Sequence, residues 1–382
     1  MNKVMDILKV SNYDEFRCIA DKCMFTCCDG WDVSIDANTY NKWKQKSDKS
    51  DYILSNVKMK KCGSERLYFI NKETKEPCPF LDKGGLCYIV KSHGEEYLSS
   101  TCHMFPRIEN IFEDKKELSL SCACPEVVEL ISRITGKINM TSENETKLKN
   151  HLLELKTREV LVNIMQQEKI SLDHKLIISF QMLLTIMENE EFEKDTLMEE
   201  LDNYESIEYM QGLIDMYEEV ELTLEDSAIE INNLFLDIIQ DYKEVSILET
   251  LLKDIYDFAE DVEIEMLSSK WQVYKSLFEG HNQLVENCIV SKVLGSCVSS
   301  DMEELTIAFQ MIALEYLLVR HAVFLKYVMN ESEEIESSDI KDYIVAFSRI
   351  IGNNTEAVIE FLKDGFGEEI LEIEYLCFIT LF

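Results

Sequence analysis

The sequence predicts a mainly α protein: a small, loop-rich α+β unit that carries clustered cysteines, followed by an all-α helical array. Three observations predict this. Of thirteen cysteines in 382 residues, ten fall in the first third, and only Cys288, Cys297 and Cys377 lie beyond it. All four prolines lie at or before Pro125, so nothing after it carries the residue most hostile to a helix interior. Charge divides at the same place: residues 1–130 hold 19 Lys/Arg against 21 Asp/Glu, and the remainder holds 19 against 52. The expected division is residues 1–135 as a metal or iron-sulfur unit and 136–382 as an acidic helical unit.

Within the first unit, Asp29-Gly30, Gly63, Pro77, Pro79, Gly84-Gly85, Gly94 and Pro106 are closely spaced turn signals, so its strands and helices should be short. A helix is expected to run to about Lys46, with Ser34 or Asp36 as its N-cap. Arg66–Ile70 and Glu117–Ser121 alternate in the manner of strands. The polar stretch Asn139 to Glu145 is expected to be a linker or a first helix cap. Beyond it, Asn150–Gln167, Lys175–Asn189, Ala228–Val245, Ile247–Phe258 and Leu305–Met329 place apolar residues three and four apart. About eight to ten antiparallel helices are expected.

Composition excludes several classes. With 46% hydrophobic and 29% charged residues, the chain is that of a folded globular protein rather than a disordered one. The net charge of −35 opposes binding to nucleic acid or an anionic membrane and could attract a lysine-bearing partner; a solvated acidic face is the simpler reading. Leu305–Met329 is interrupted by Glu315, Arg320, His321 and Lys326, so no membrane span is expected. Met1–Val10 lacks the pattern of a secretory signal, so the protein is expected in the cytoplasm. There thiols stay reduced, and clustered cysteines indicate metal or redox chemistry rather than a disulfide framework.

The densest signal is Cys18, Cys23, Cys27 and Cys28, four thiols in eleven residues. Adjacent Cys27 and Cys28 do not readily chelate one ion in regular structure, so one of them serves a second metal or the backbone turns sharply at Asp29-Gly30. Further ligand candidates are Cys78, Cys87, Cys102 beside His103, Cys122 and Cys124, each with Pro or Gly close by. Such settings recur at iron-sulfur sites, where a ferredoxin run ends in Cys-Pro as Cys124-Pro125 does here. Zinc would accept the same thiolates, but no Cys-x2-Cys pair of the zinc-ribbon kind occurs. Iron-sulfur is therefore preferred to zinc, and both to purely structural thiols.

Phe16-Arg17-Cys18, Cys23, Cys27-Cys28 and Gly30-Trp31, then Cys78-Pro79-Phe80-Leu81, Gly85-Leu86-Cys87, Gly94 to Ser99, Thr101-Cys102, Pro106-Arg107, Leu118 to Ser121 and Cys124-Pro125-Glu126 together resemble the flagellin lysine-N-methylase family. The resemblance covers residues 13–130, and beyond it extends only to helical character and Tyr316-Leu317-Leu318-Val319-Arg320. It implies S-adenosylmethionine-dependent methylation of flagellin surface lysines, with an iron-sulfur cluster, 4Fe-4S in type, at the N-terminal cysteines. The ligands it implies are Cys18, Cys23, Cys27, Cys28, Cys78, Cys87, Cys102 and Cys124, with Cys122 as an alternate to Cys124. Eight exceed the four that one cubane takes, so either there are two metal sites or some thiols only line one.

Neither Gly-x-Gly-x-x-Gly nor the radical S-adenosylmethionine spacing Cys-x3-Cys-x2-Cys occurs. For the chemistry around the donor, His103 is a candidate proton acceptor or ligand, set against a solvated loop histidine. Trp31 and Tyr97 are candidates for an aromatic slot that takes the sulfonium or the lysine stem, set against plain core aromatics. Arg107 could bind the donor's carboxylate or pair with a nearby acid. Cys288, Cys297 and Cys377 read as small buried hydrophobes. The competing functional readings are a non-catalytic metal- or cluster-binding module, a redox or metal-delivery protein, and a helical interaction protein.

Overall fold

In the computed structural model, the described residues are 5–380 except 24, 30–32, 46–49, 63–64, 73–75, 143–151, 190–192, 219–223, 241, 246, 353–354 and 367–372. The N-terminal third alternates short elements: β1 (Asp6–Val10), β2 (Ser34–Ile35), α1 (Ala37–Gln45), α2 (Ser50–Ser55), β3 (Val57–Cys62), β4 (Glu65–Ile70), α3 (Tyr88–His93), α4 (Ser100–Met104), β5 (Arg107–Ile111), β6 (Lys115–Leu120), α5 (Pro125–Ser132) and β7 (Met140–Ser142). They build two sheets, ordered β5-β6-β1-β7 and β2-β4-β3. The only parallel pairing among them is β1 with β6, which begins at Asp6 opposite Lys115.

The expected strands at 66–70 and 117–121 are β4 and β6, and the expected N-cap is Asp36, whose carboxylate accepts from the Thr39 N–H at 2.9 Å. The stretch expected as a linker or first helix cap differs over its first part, and its residues 143–145 lie outside the described residues. Met140–Ser142 is an edge strand on β1, because pairing there satisfies backbone groups that a free loop would leave to water.

From residue 153 on, the described chain holds twelve α-helices, more than the eight to ten expected. They are α6 (Leu153–Met165), α7 (Leu172–Glu188), α8 (Lys194–Asn203), α9 (Ile207–Glu218), α10 (Leu224–Ile239), α11 (Glu249–Asp261), α12 (Ile264–Phe278), α13 (Asn282–Ser296), α14 (Met302–Met329), α15 (Ser337–Phe347), α16 (Thr355–Phe366) and α17 (Ile373–Thr380). A π-helical turn, Ser348–Gly352, follows α15 directly.

The axis of the array is α14, 28 residues long and capped by Asp301, which accepts from the Glu304 N–H at 3.0 Å. By length and composition it could cross a membrane, but 89% of its most apolar window is buried inside the protein. Its interrupting charges are partnered. Arg320 donates to Asp173 of α7 at 2.5 Å and to the Thr380 carbonyl at 3.0 Å, and His321 shares a 3.0 Å hydrogen bond with Asn232 of α10. Buried charge of this kind is tolerated only when it is paired.

Two apolar cores result. The larger runs from Val10, Phe16 and Phe25 through α5 and the helices, and the smaller gathers Val33, Ile35, Trp43, Ile53, Ile70, Phe80 and Ile89. The four-stranded sheet is locked to the helices. Glu117 of β6 receives Arg158 of α6 and Lys115 at 2.8 Å each, and Asn110 donates to the Gly295 carbonyl at 3.0 Å.

Candidate metal centre

Four of the implied ligands meet at the smaller core. Cys78 is buried in it, and Cys28, Cys87 and Cys102 pack against it. The Cys78 N–H donates to the Cys28 carbonyl at 2.6 Å, which draws two distant loops together. Cys87 ends a tight turn in which the Asp82 carboxylate accepts from the N–H groups of Gly84 (2.8 Å) and Leu86 (3.0 Å). Gly85 in that turn has φ +76°, a conformation that disfavours any side chain. Cys102 lies in the first turn of α4, where the Ser99 hydroxyl accepts its N–H at 3.2 Å. A hydrogen bond of 2.8 Å between Ser34 and Thr101 ties that helix to β2.

Of the remaining four, Cys124 belongs to the larger core, and Cys18, Cys23 and Cys27 lie in neither core. Cys124 is buried and caps α5, with Pro125 at the first helical position, where a missing N–H costs nothing. Cys23 donates its thiol hydrogen to the Phe25 carbonyl at 3.1 Å, and Cys18 and Cys27 are exposed. Cys27 touches both groups, because its thiol hydrogen-bonds to that of Cys28 and is also electrostatically coupled to Cys23.

Sequence reasoning missed Arg349. It lies on the π-helical turn after α15, is 3% exposed, and donates to the carbonyls of Phe25 (2.7 Å), Thr26 (2.9 Å) and Ala123 (3.0 Å). It therefore clamps the Cys23–Cys28 loop and the Cys122–Cys124 turn onto the helical array. The signal was present as a lone cation in the apolar run Tyr343 to Ile351. A buried cation in such a run needs a partner.

Six of these thiols, Cys23, Cys27, Cys28, Cys87, Cys102 and Cys124, are shifted toward the protonated form. The hydrogen bond to Cys28 pushes Cys27 up. At Cys28 the Cys27 contact lowers the pKa, but the hydrogen bond to Cys78 and burial outweigh it and carry it to about 12. Burial raises Cys23 and Cys87, and takes Cys102 to about 11 and Cys124 to about 12. Metal binding there would release protons, since closely grouped thiolates repel one another unless a cation sits between them.

The donor set suits a soft cation or an iron-sulfur cluster. The described residues present no ready-made group of three His, Cys, Asp or Glu side chains that could hold an ion. The fit is therefore one of donor chemistry and neighbourhood.

Cys122 turns away from this centre. It meets Cys288 of α13, its sulfur 4.0 Å from the Cys288 carbonyl oxygen, and the thiol contact lowers Cys122 and raises Cys288. Cys288 and Cys297 are buried and Cys377 half-buried. His103 is exposed on α4 beside Cys102. Tyr97 packs on the smaller core, with Lys42 Nζ 5.1 Å from its ring centroid. Arg107 is on β5, its guanidinium 5.1 Å from the centroid of Phe16. Trp31 lies outside the described residues.

A second polar constellation is buried in the helices. Lys292 of α13, Glu315 of α14 and Ser348 are mutually hydrogen-bonded, with Lys292 2.6 Å from the Ser348 hydroxyl. A shallow cleft elsewhere in the helices is lined by Asp173, Trp271, Tyr274, Lys275, Tyr316 and Arg320.

Comparison with known proteins places the chain. The family described as "FliB lysine N-methylase C-terminal domain" matches residues 158–379. The flagellar biosynthetic protein FliU of Salmonella muenchen is 32% identical over 119 residues, 30% of this chain and 70% of FliU. The lysine-N-methylases of Salmonella typhimurium and Salmonella choleraesuis are 32% identical over the same length, and the match spans only 30% of each. No solved structure matches the chain.

Proposed function

The chain belongs to the FliB lysine N-methylase family, and from that premise we propose that it is a protein lysine N-methyltransferase. Its substrate is flagellin, its methyl donor S-adenosylmethionine, and its N-terminal thiolates hold an iron-sulfur cluster. The observation that carries this reading is the family match across most of the helical array, residues 158–379, joined to a cysteine-bearing N-terminal third whose motifs resemble the same family.

Methyl transfer to lysine forms an N–C bond as the S–C bond of the sulfonium breaks, and the sulfur leaves with the electron pair. The amine must first lose its proton, so the site needs a base and a place for a cationic donor. His103, exposed beside Cys102, is the candidate base, and Tyr97 and Trp31 are candidates for the aromatic wall. Arg107 is the candidate for the donor's carboxylate. The acidic helical array favours approach of a lysine-rich surface.

A cluster bound by the N-terminal thiolates would supply redox-active iron and fix the loops that carry these residues. The free thiols favour a reducing compartment, the cytoplasm.

Peptide mass spectrometry of the host's flagellin, with and without the gene for this chain, tests the substrate. Loss of methyl-lysine on deletion is expected, and an unchanged pattern overturns the assignment.

A further inference from the structure

We propose that the outer edge of β3 docks an acidic, extended segment of a partner protein, which adds to the smaller sheet as a fourth strand. The inference goes beyond the methylase reading and rests on a different part of the molecule.

Charge singles out this edge. The chain carries a net charge of −35, yet residues 42–66 hold eight Lys/Arg against three Asp/Glu. Lys58, Lys60, Lys61 and Arg66 are all exposed on the β3–β4 hairpin. The sheet order is β2-β4-β3, and among the described residues β3 pairs with β4 alone. Its other side turns backbone N–H and C=O groups outward, the template to which an extended chain adds.

The register puts cations on both faces of the hairpin. Successive side chains alternate, and directly opposed residues share a face. Lys58 and Lys60 therefore lie with Leu67, which is opposite Lys60, and Lys61 lies with Met59 and Arg66. Met59 is 50% exposed and Leu67 40%, so each face also offers an apolar contact. On the second face Tyr68 stacks on Tyr40 of α1, with ring centroids 3.9 Å apart, and exposed Lys44 follows Tyr40 by one helical turn.

Lysine on an edge strand also discourages aggregation, but that role does not call for Arg66 directly opposite Lys61. Like charges so opposed destabilise the hairpin, and an anionic partner relieves the repulsion. The β3 strand of a second copy would bring lysine against lysine. A membrane or a nucleic acid is a broad polyanion that meets the field of the whole acidic chain, whereas a short segment feels only charges within a Debye length of about 8 Å. An acidic peptide is the occupant that fits.

Fluorescence anisotropy of a dye-labelled octapeptide of alternating Glu and Thr, titrated with the full-length protein, tests this. Saturable binding that weakens as salt rises is expected, with none for the Lys-Thr counterpart. Lys60→Glu combined with Lys61→Glu should weaken binding about tenfold or more. Lys60→Gln combined with Lys61→Gln should weaken it less, and serves if charge reversal unfolds the protein, which circular dichroism reports. The fully N-methylated peptide keeps its charge but cannot donate strand hydrogen bonds, and it should not bind. Absence of binding, unchanged affinity in both double variants, or equal binding of the N-methylated peptide overturns the proposal. Tighter binding of oligothymidylate or of phosphatidylglycerol vesicles than of the peptide does the same. No arm uses flagellin or a methyl donor, so failure here is distinguishable from failure of the functional reading.

Discussion

Arg349 donates to the carbonyl oxygen of Phe25 at 2.7 Å, across 324 residues of chain. One side chain from the end of the helical array thereby fixes the loop that presents Cys23, Cys27 and Cys28. A thiolate site and a substrate-holding array need such a link if they are to act as one enzyme.

Arg349→Met should uncouple them. Three carbonyls lose a charged donor, and hydrogen bonds to charged groups are worth roughly 1.5–3 kcal/mol each, so a stability loss of about 3 kcal/mol or more is expected in urea denaturation. Metal content should fall with it. Arg349→Lys, which keeps the charge but not the fork, should recover part of the metal and little of the stability.

Anaerobically purified protein should be brown with broad visible absorbance, and Cys28→Ser should remove much of that absorbance. Cys377→Ser should not, because Cys377 packs on the helical core. A colourless, zinc-loaded wild type would contradict the iron assignment.

Arg320→Met should cost about 3–5 kcal/mol in a denaturant titration, the usual cost of breaking a buried pair. Asp173 would retain Lys275 at 2.7 Å, and the Thr380 carbonyl would lose its donor. A loss under about 1 kcal/mol, the range of exposed pairs, would mean the pair behaves as if exposed.

Acid should destabilise the helical array through His321. Burial, reinforced by Arg320, holds its pKa at about 3 against an ordinary 6.5. The unfolded chain takes up a proton near pH 6.5 that the folded protein refuses until about pH 3, so stability is present above that window and falls as pH drops through it. The slope from this group approaches about 1.4 kcal/mol per pH unit. Urea midpoints at several pH values should fall less steeply for His321→Gln than for the wild type.

Local chemistry was legible in the sequence. The Asp36 cap, β4, β6 and the apolar periodicity of α10 and α11 follow from neighbours a few residues apart, whereas α14 is a helix as expected but is buried on every face rather than along one stripe. What depends on distant partners was not. Met140–Ser142 looks like a polar linker until β1 is beside it, and β1 is held by a parallel pairing to β6 more than a hundred residues away. The ligand set was readable as a list of cysteines, but that Cys28, Cys78, Cys87 and Cys102 gather at the smaller core while Cys124 is buried in the larger is a tertiary fact. Arg349 carried no motif. Its role arises from a π-helical turn that aims one cation at three carbonyls in another part of the chain. Cys288 read as a small hydrophobe, and its contact with Cys122 is a tertiary fact.

The central claim is lysine methylation, and the most direct measurement is the intact mass of purified flagellin after incubation with the metal-loaded protein and S-adenosylmethionine. The account predicts mass increments of whole methyl groups, mapped to surface lysines and absent when the donor is omitted. Unchanged flagellin mass, with folded and metal-loaded protein, would contradict it.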